Sequence, residues 1–575
     1  MQQVKYYIIL SLLLGAFFSC TRDFLEKPPS VDITEDTIFS KIRNAETFLY
    51  DVYGNSVPSG LPTGWSVSSS GGIVAGVLAA ACDEGDIADS WPGTNRFNEG
   101  QWNANDNPED DFNTHYKAIR KANIFMERID GVPDATAEYK TQLKAEARFL
   151  RALQYFELVK RYGGVPIVDK RLLNSDNLKL PRNKLEECIN FIIADCDAAV
   201  TGLPAAQEGF LRGRISKGAV LSLKSRVLLY AASPLFNSAT SYVPTTDATA
   251  TLVGYHNYDA TRWQKAADAA KAVLDWAPTG SCRLITEFGA DKNYEYVWSQ
   301  PDNAEIILAN KSNGWWGIYS DYFNFTMPVN MYGGWYGISV PMNFVKLYEK
   351  KTGGAQTWPE SGDNANAMYA SLDPRFAQSI GYNGASWNSE IGAVQMYIKT
   401  DGKPALHGGD RGGGQWLHKF LPRSVTWSSY GATINWPVFR LAEFYLNYAE
   451  ALNEAQGPVT EVYTAINTVR ARSGMPALSG KTKEEMRTAI RNERAVELAF
   501  EEHRYWDVRR WKIAGDEGVM NGKMYGLRLK PIAASSEFHF DQVVFEQRVW
   551  NDKMYLYPFP NVEIYKQYMI QNPGW

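Results

Sequence analysis

Glu493, Glu497 and Glu501 stand four residues apart, so on a helix their carboxyls share one face. Two carboxyls about 5–5.5 Å apart form the pair of a retaining glycosidase. Arg491, Arg494, Arg504, Arg509 and Arg510 crowd the same stretch. A carboxylate beside guanidinium groups keeps a low pKa and serves poorly as a general acid. The pattern predicts an ion-paired helix junction, and no residue is given a catalytic role.

Flat rings supply the other chemistry, in a chain with 18 Trp and 32 Tyr. Residues 314–337 (GWWGIYSDYFNFTMPVNMYGGWYG) carry Trp315, Trp316, Tyr319, Tyr322, Tyr332, Trp335 and Tyr336 among Gly314, Gly317, Gly333 and Gly334. Such glycine punctuation predicts loops, where rings reach solvent and can stack on the C–H faces of sugars. Asp321, Asn324 and Asn330 are available to bond hydroxyls. About half of the rings are expected to fill core instead. An earlier irregular segment, 82–103, offers Asp83, Trp91, Arg96, Trp102 and Asn103. Trp91, in a turn beside Pro92, is the best single platform; the alternative for Trp102 is packing against the helix that starts near Asn113.

Other constellations carry less. Asn103, Asn105, Asp106, Asn107, Glu109, Asp110 and Asp111 present oxygen ligands, but Pro108 stands where a calcium loop needs Gly and Thr114 where it needs Glu. Acids capping the next helix are the expected reading. The six histidines form no HExxH pair, so neither a metal nor a cofactor is expected. GGDRGGGQW (408–416) lacks the Lys-Ser/Thr ending of a phosphate cradle and reads as a flexible loop. Cys188 and Cys196, eight apart on one predicted helix, would lie about 12 Å apart, too far to bridge. With Cys82 and Cys282 they read as small buried hydrophobes.

Cys20 follows the apolar run Tyr6–Phe18, which Lys5 precedes. The run is shorter than the roughly 20 residues of a spanning helix. A cysteine in that place can receive a diacylglycerol and become the mature N-terminus, although Phe17-Phe18-Ser19 is bulkier than the usual Leu-small-small flank. Residues 1–19 are therefore expected to be a lipoprotein signal peptide, with lipidation at Cys20. A net charge of −5, from 59 basic and 64 acidic residues, suggests no nucleic-acid partner.

Amphipathic periods predict the elements that hold these groups: helices over 113–130, 138–161, 185–199, 217–232, 261–276, 440–454, 461–472 and 483–502. Gly163-Gly164 stops the second of them. The unit 440–472 has about the 34-residue tetratricopeptide (TPR) period without the full consensus. Ala266, Ala269, Ala270 and Ala272 suit tight contact between helices. Residues 278–437, rich in Gly, Asn, Trp and Tyr, read as loops and short strands. The expected fold is mainly α, with TPR-like hairpins over about 36–277 and 438–575 and a loop-rich insertion over about 278–437.

Residues 490–512 (IRNERAVELAFEEHRYWDVRRWK) resemble the signature of the SusD/RagB family of outer-membrane nutrient-binding lipoproteins. The resemblance extends to ARFLRALQYFELVKRYGGVPIV (147–168), LLYAASPLFN (228–237), DPRF (373–376), RLAEFYLNYAEALNE (440–454), INTVRARSGMP (466–476) and YLYPFPNVEIYKQYMIQNPGW (555–575). The stretch that begins at Cys20 is similar to the family's mature N-terminus. The resemblance implies about four TPR-like helix pairs with an irregular portion packed on them. It also implies a TonB-dependent, SusC-like outer-membrane barrel as partner, with the lipid-anchored protein as its hinged lid at the cell surface. The implied role is capture of a glycan, or sometimes a peptide, without chemistry. The rivals are a surface glycoside hydrolase and an assembly protein that only stabilises the barrel complex. In glycan-binding members the loops after the first helices and the central insertion together shape the site.

Overall fold

The computed structural model describes residues 34–60, 78–87, 93–311, 315–316 (backbone only), 327–334, 337–428 and 432–575. Its longer helices are α1 (Ile42–Ser56), α2 (Phe112–Arg128), α3 (Ala137–Tyr162), α4 (Leu185–Val200), α5 (Lys217–Ala232), α6 (Thr261–Trp276), α7 (Leu441–Gln456), α8 (Thr460–Arg472), α9 (Lys483–Glu497) and α10 (His503–Arg510). Local chemistry sets several ends. Thr136 Oγ1 accepts the Tyr139 N–H at 3.2 Å to open α3, and Thr482 with Glu485 closes a capping box on α9. Gly163 ends α3 at φ 76°, and a Cβ there would lie 2.7 Å from the Leu252 carbonyl oxygen. Only glycine fits both demands.

Each helix packs on the next, α2 on α3 and onward to α7 on α8, with α1 against α2 and α3 and α9 against α7. This is the expected stack of TPR-like hairpins. Ala266, Ala267 and Ala270 of α6 are buried where it meets α5 and α7, whereas Ala269 and Ala272 line an outer groove. The insertion departs after α6 and returns through the strand Trp436–Arg440, which pairs antiparallel with Ile306–Asn310. Because α6 and α7 are packed neighbours, the array is continuous across it. Within the insertion, Ile338–Val340 lies between Asp86–Ile87 and Gln415–Leu417, and Ile380–Gly381 completes this antiparallel sheet.

The structure differs from the sequence reading in four places. The last predicted helix stops at Glu497, because Phe500 and Glu502 both turn to φ 61° before α10 begins. The stretch 438–575 is not all helical: Gly522–Pro531 and Phe538–Arg548 form an antiparallel hairpin, with Ser361–Gly362 on its outer edge. Helix α1 was not anticipated. The glycine run 408–416 is packed rather than flexible at Gly412–Gly414. The Gly413 carbonyl accepts the Leu527 N–H at 2.9 Å, and a Cβ on Gly413 would stand 1.9 Å from Val340 O. Two strands approach there too closely for side chains.

Candidate functional site

The carboxylates on α9 and beyond are ion-paired, as their spacing predicts. Arg375 bonds Glu493 at 2.5 Å and Glu497 at 3.0 Å; Arg440 reaches Glu305, Glu497 and Glu501 at 2.7–2.9 Å. Arg470 holds Glu493, Arg472 holds Glu305 and Glu497, and Lys419 donates to Glu501 at 2.5 Å. Burial alone would raise Glu497, yet Arg472, Arg440 and Arg375 keep its carboxyl well below the usual carboxylate range. A permanently ionised, fully paired acid has no proton to give. The partners come from other elements than the sequence suggested: Arg494 turns to Asp507, Arg510 to Asp507 and Glu450, and Arg491 lies over the Trp511 ring.

Of the residues expected to bind a ligand, several lie inside. Asp83 is buried and receives two bonds from Arg504, at 2.7 and 2.9 Å. Trp102 is 2% exposed and packs on Phe97, Tyr557 and Trp575. Arg96, half-buried on the short helix Thr94–Asn98, pairs with Asp106, and the exposed Asn103 exchanges backbone bonds with Asp106. In the same stretch, the side chains of Asn103 and Asn107 accept the N–H of Asn105 and Glu109, so they shape turns. Among the described residues no group of His, Cys, Asp and Glu could hold a metal ion. Cys20, Trp91, Tyr319, Trp335 and Tyr336, and the side chains of Trp315 and Trp316, lie outside the described residues.

The described backbone still relates these segments. Ile87 pairs with Ile338, so the chain leaves toward Trp91 beside the point where it arrives from Tyr336. Trp315–Trp316 pairs with Ala432–Thr433, five residues beyond Trp427. Trp427 is 49% exposed and stands edge-on to Tyr332 at 5.2 Å. Tyr332 itself is buried, with its hydroxyl accepting from Asn388 Nδ2 at 2.7 Å and donating to Glu390 at 3.3 Å. Glu390 Oε2 also accepts the Trp427 N–H at 2.8 Å, and Asn388 ties down the carbonyls of Arg423 and Val425. An exposed indole thus projects from a backbone held by a polar brace, with an exposed carboxylate beside it. The sequence reading passed over Trp427, although RSVTWSSYG (423–431) has the same small, polar, aromatic texture as 314–337.

Comparison with known proteins gives these features a family. A model of the SusD family matches residues 294–575, and a second, described as starch-binding associating with outer membrane, matches 23–229. The chain belongs to the SusD family. SusD-like protein P25 of Formosa agariphila is 24% identical over 544 residues, 89% of this chain and 91% of its own. The structure of a SusD-like protein from Bacteroides fragilis, 28% identical, covers 96% of this chain and all of its own with a TM-score of 0.76. A laminarin-binding SusD-like protein shares the fold at a TM-score of 0.61 and 21% identity, over 93% of this chain and 100% of its own. No described helix of this SusD-like chain is long and apolar enough to cross a membrane.

Proposed function

We propose that this SusD-like protein captures a glycan without chemistry and delivers it to a SusC-like TonB-dependent barrel, tethered to the outer membrane by lipid on Cys20. The observation that carries the reading is Trp427, half exposed over Tyr332 and braced by Glu390. A sugar ring can stack on this exposed indole, whose backbone Glu390 holds, and Glu390 can accept a neighbouring hydroxyl. Trp91, Trp315, Trp316, Tyr319, Trp335 and Tyr336 are proposed as further rings for the ligand, on the sequence alone. Tyr332 acts by supporting Trp427, and Arg96 and Asn103, both beside Asp106, offer a separate polar patch. The family description and the name of the laminarin-binding relative support a glycan as ligand.

Isothermal titration against a polysaccharide panel that includes laminarin tests it. Trp427→Ala is expected to weaken binding about tenfold, or ~1.4 kcal/mol, and Trp315→Ala and Trp91→Ala to weaken it as well. Binding of peptides and of no glycan would replace the ligand class. Palmitate labelling at Cys20 and co-purification with an outer-membrane barrel test the anchor and the delivery partner separately.

A further inference from the structure

The charge beside Trp427 has one sign. Glu390 is exposed, and its Oε2 accepts the Trp427 N–H at 2.8 Å and the Tyr332 hydroxyl at 3.3 Å. Both donors are neutral. Among the described residues no Lys, Arg or His forms an ion pair with this carboxylate. Arg423, four residues before Trp427, is engaged elsewhere: it bonds Glu295 at 2.7 Å and the Ala377 carbonyl at 3.1 Å, and lies over the Trp387 ring. Lys399 and Lys403 close a turn that Ile398 ties to Leu529 of the C-terminal hairpin. Asp410 and Arg411, both exposed beside Gly412, add one charge of each sign.

The internal stretches outside the described residues bring no cation either. Residues 61–77, 88–92, 312–314, 317–326, 335–336 and 429–431 contain Asp89 and Asp321 but no Lys, Arg or His. The further rings proposed for the ligand therefore stand in stretches whose only charges are acidic.

We propose that the Trp427 face selects glycans that carry no carboxylate or sulfate, with Glu390 as its specificity-determining residue. This selection presupposes the glycan reading above and adds its substrate class. Stacking alone does not discriminate, because a uronic acid offers an indole much the same C–H face as a hexose. The carboxylate does discriminate. A sugar hydroxyl donates to Glu390, whereas a uronate or sulfate in the same place meets a like charge with no cation to offset it. At about 5 Å near a protein surface, such a pair costs roughly tenfold or more in affinity.

Titration calorimetry of the mature chain compares laminarin, starch and galactan with alginate, polygalacturonate and carrageenan. The uncharged glycan that binds is then offered again with its primary hydroxyls oxidised to carboxylates. The oxidised form is expected to bind wild type about tenfold more weakly than its parent. Glu390→Gln should recover most of that loss, while Glu484→Gln, which removes the same charge from α9, should recover none. Circular dichroism checks each fold, and Glu390→Ser stands in if Glu390→Gln does not fold. An acidic glycan that binds wild type as tightly as any uncharged one would overturn the selection and leave glycan capture standing. So would a gap that the Glu390 variants do not narrow. Binding of no glycan at all would remove the capture reading itself, and the selection with it.

Discussion

Glu84 is fully buried, and its one strong bond is from the Phe500 N–H at 2.9 Å. Burial raises its carboxyl to about 8, far above the roughly 4.3 of an unfolded chain. The folded protein therefore holds a proton that the unfolded chain releases. The associated stability is fully present below about pH 4.3 and drains away as pH rises to about 8. Glu84→Gln keeps an acceptor for Phe500 and removes this slope, so its unfolding free energy from urea titration is expected to gain on the wild type between about pH 5 and about pH 8.5 by up to a few kcal/mol, seen as a rising urea midpoint. Parallel midpoints across that range would refute the assignment. Glu450 and Glu157 run the other way: burial pushes them up, but Arg510 and Lys160 respectively lead the pull that holds each at about 2. Their contribution is present above about pH 4.3 and is lost as pH falls toward 2. None of these environments was legible in the sequence. Residue type says what Asp83 or Trp102 can touch, while burial depends on Arg504 and Tyr557, hundreds of positions away.

Helices α5 and α6 match their predicted ends to the residue, and α2, α3, α4, α7 and α8 come within two. Their signals are local: an apolar period, a capping residue, a stop glycine. Gly163→Ala is expected to cost ~1–3 kcal/mol, since it combines a left-handed backbone with a clash against Leu252 O. Gly131→Ala, whose Cβ would meet nothing within 4 Å, is the control and should stay within about 0.5 kcal/mol. Equal thermal shifts for the two variants would show that α3 tolerates another ending. The hairpin Gly522–Pro531 with Phe538–Arg548 was missed because its alternation is interrupted by a bulge between Met524 and Tyr525 and by side chains half buried on both faces. The C-terminal end of α9 was missed for a different reason, while its start at Lys483 matches. Glu497 and Glu501 are drawn to Arg440 and Lys419, and that distant attraction favours a break where local propensity favours more helix.

At the scale of the molecule, the ion cluster joins parts that the chain keeps far apart. Arg375 comes from the insertion, Arg440 precedes α7, Arg472 ends α8, and all converge on Glu497 of α9. Removing one cation leaves buried carboxylates uncompensated, at about 3–5 kcal/mol. Arg375→Met is therefore expected to loosen the insertion first. Hydrogen exchange should quicken over 338–421 while α2–α5 keep their protection. Simultaneous loss in both regions would mean that the molecule opens as a single unit. The sequence conveyed the architecture and the two aromatic stretches but not the brace under Trp427, because Asn388 and Glu390 sit in an unremarkable turn that only folding carries to Tyr332. Helices α6 and α7 touch although 164 residues separate Trp276 from Leu441. Everything between them is, for a genome, one cassette with adjoining ends. Two crossovers could exchange that cassette whole and leave the helical frame unbroken.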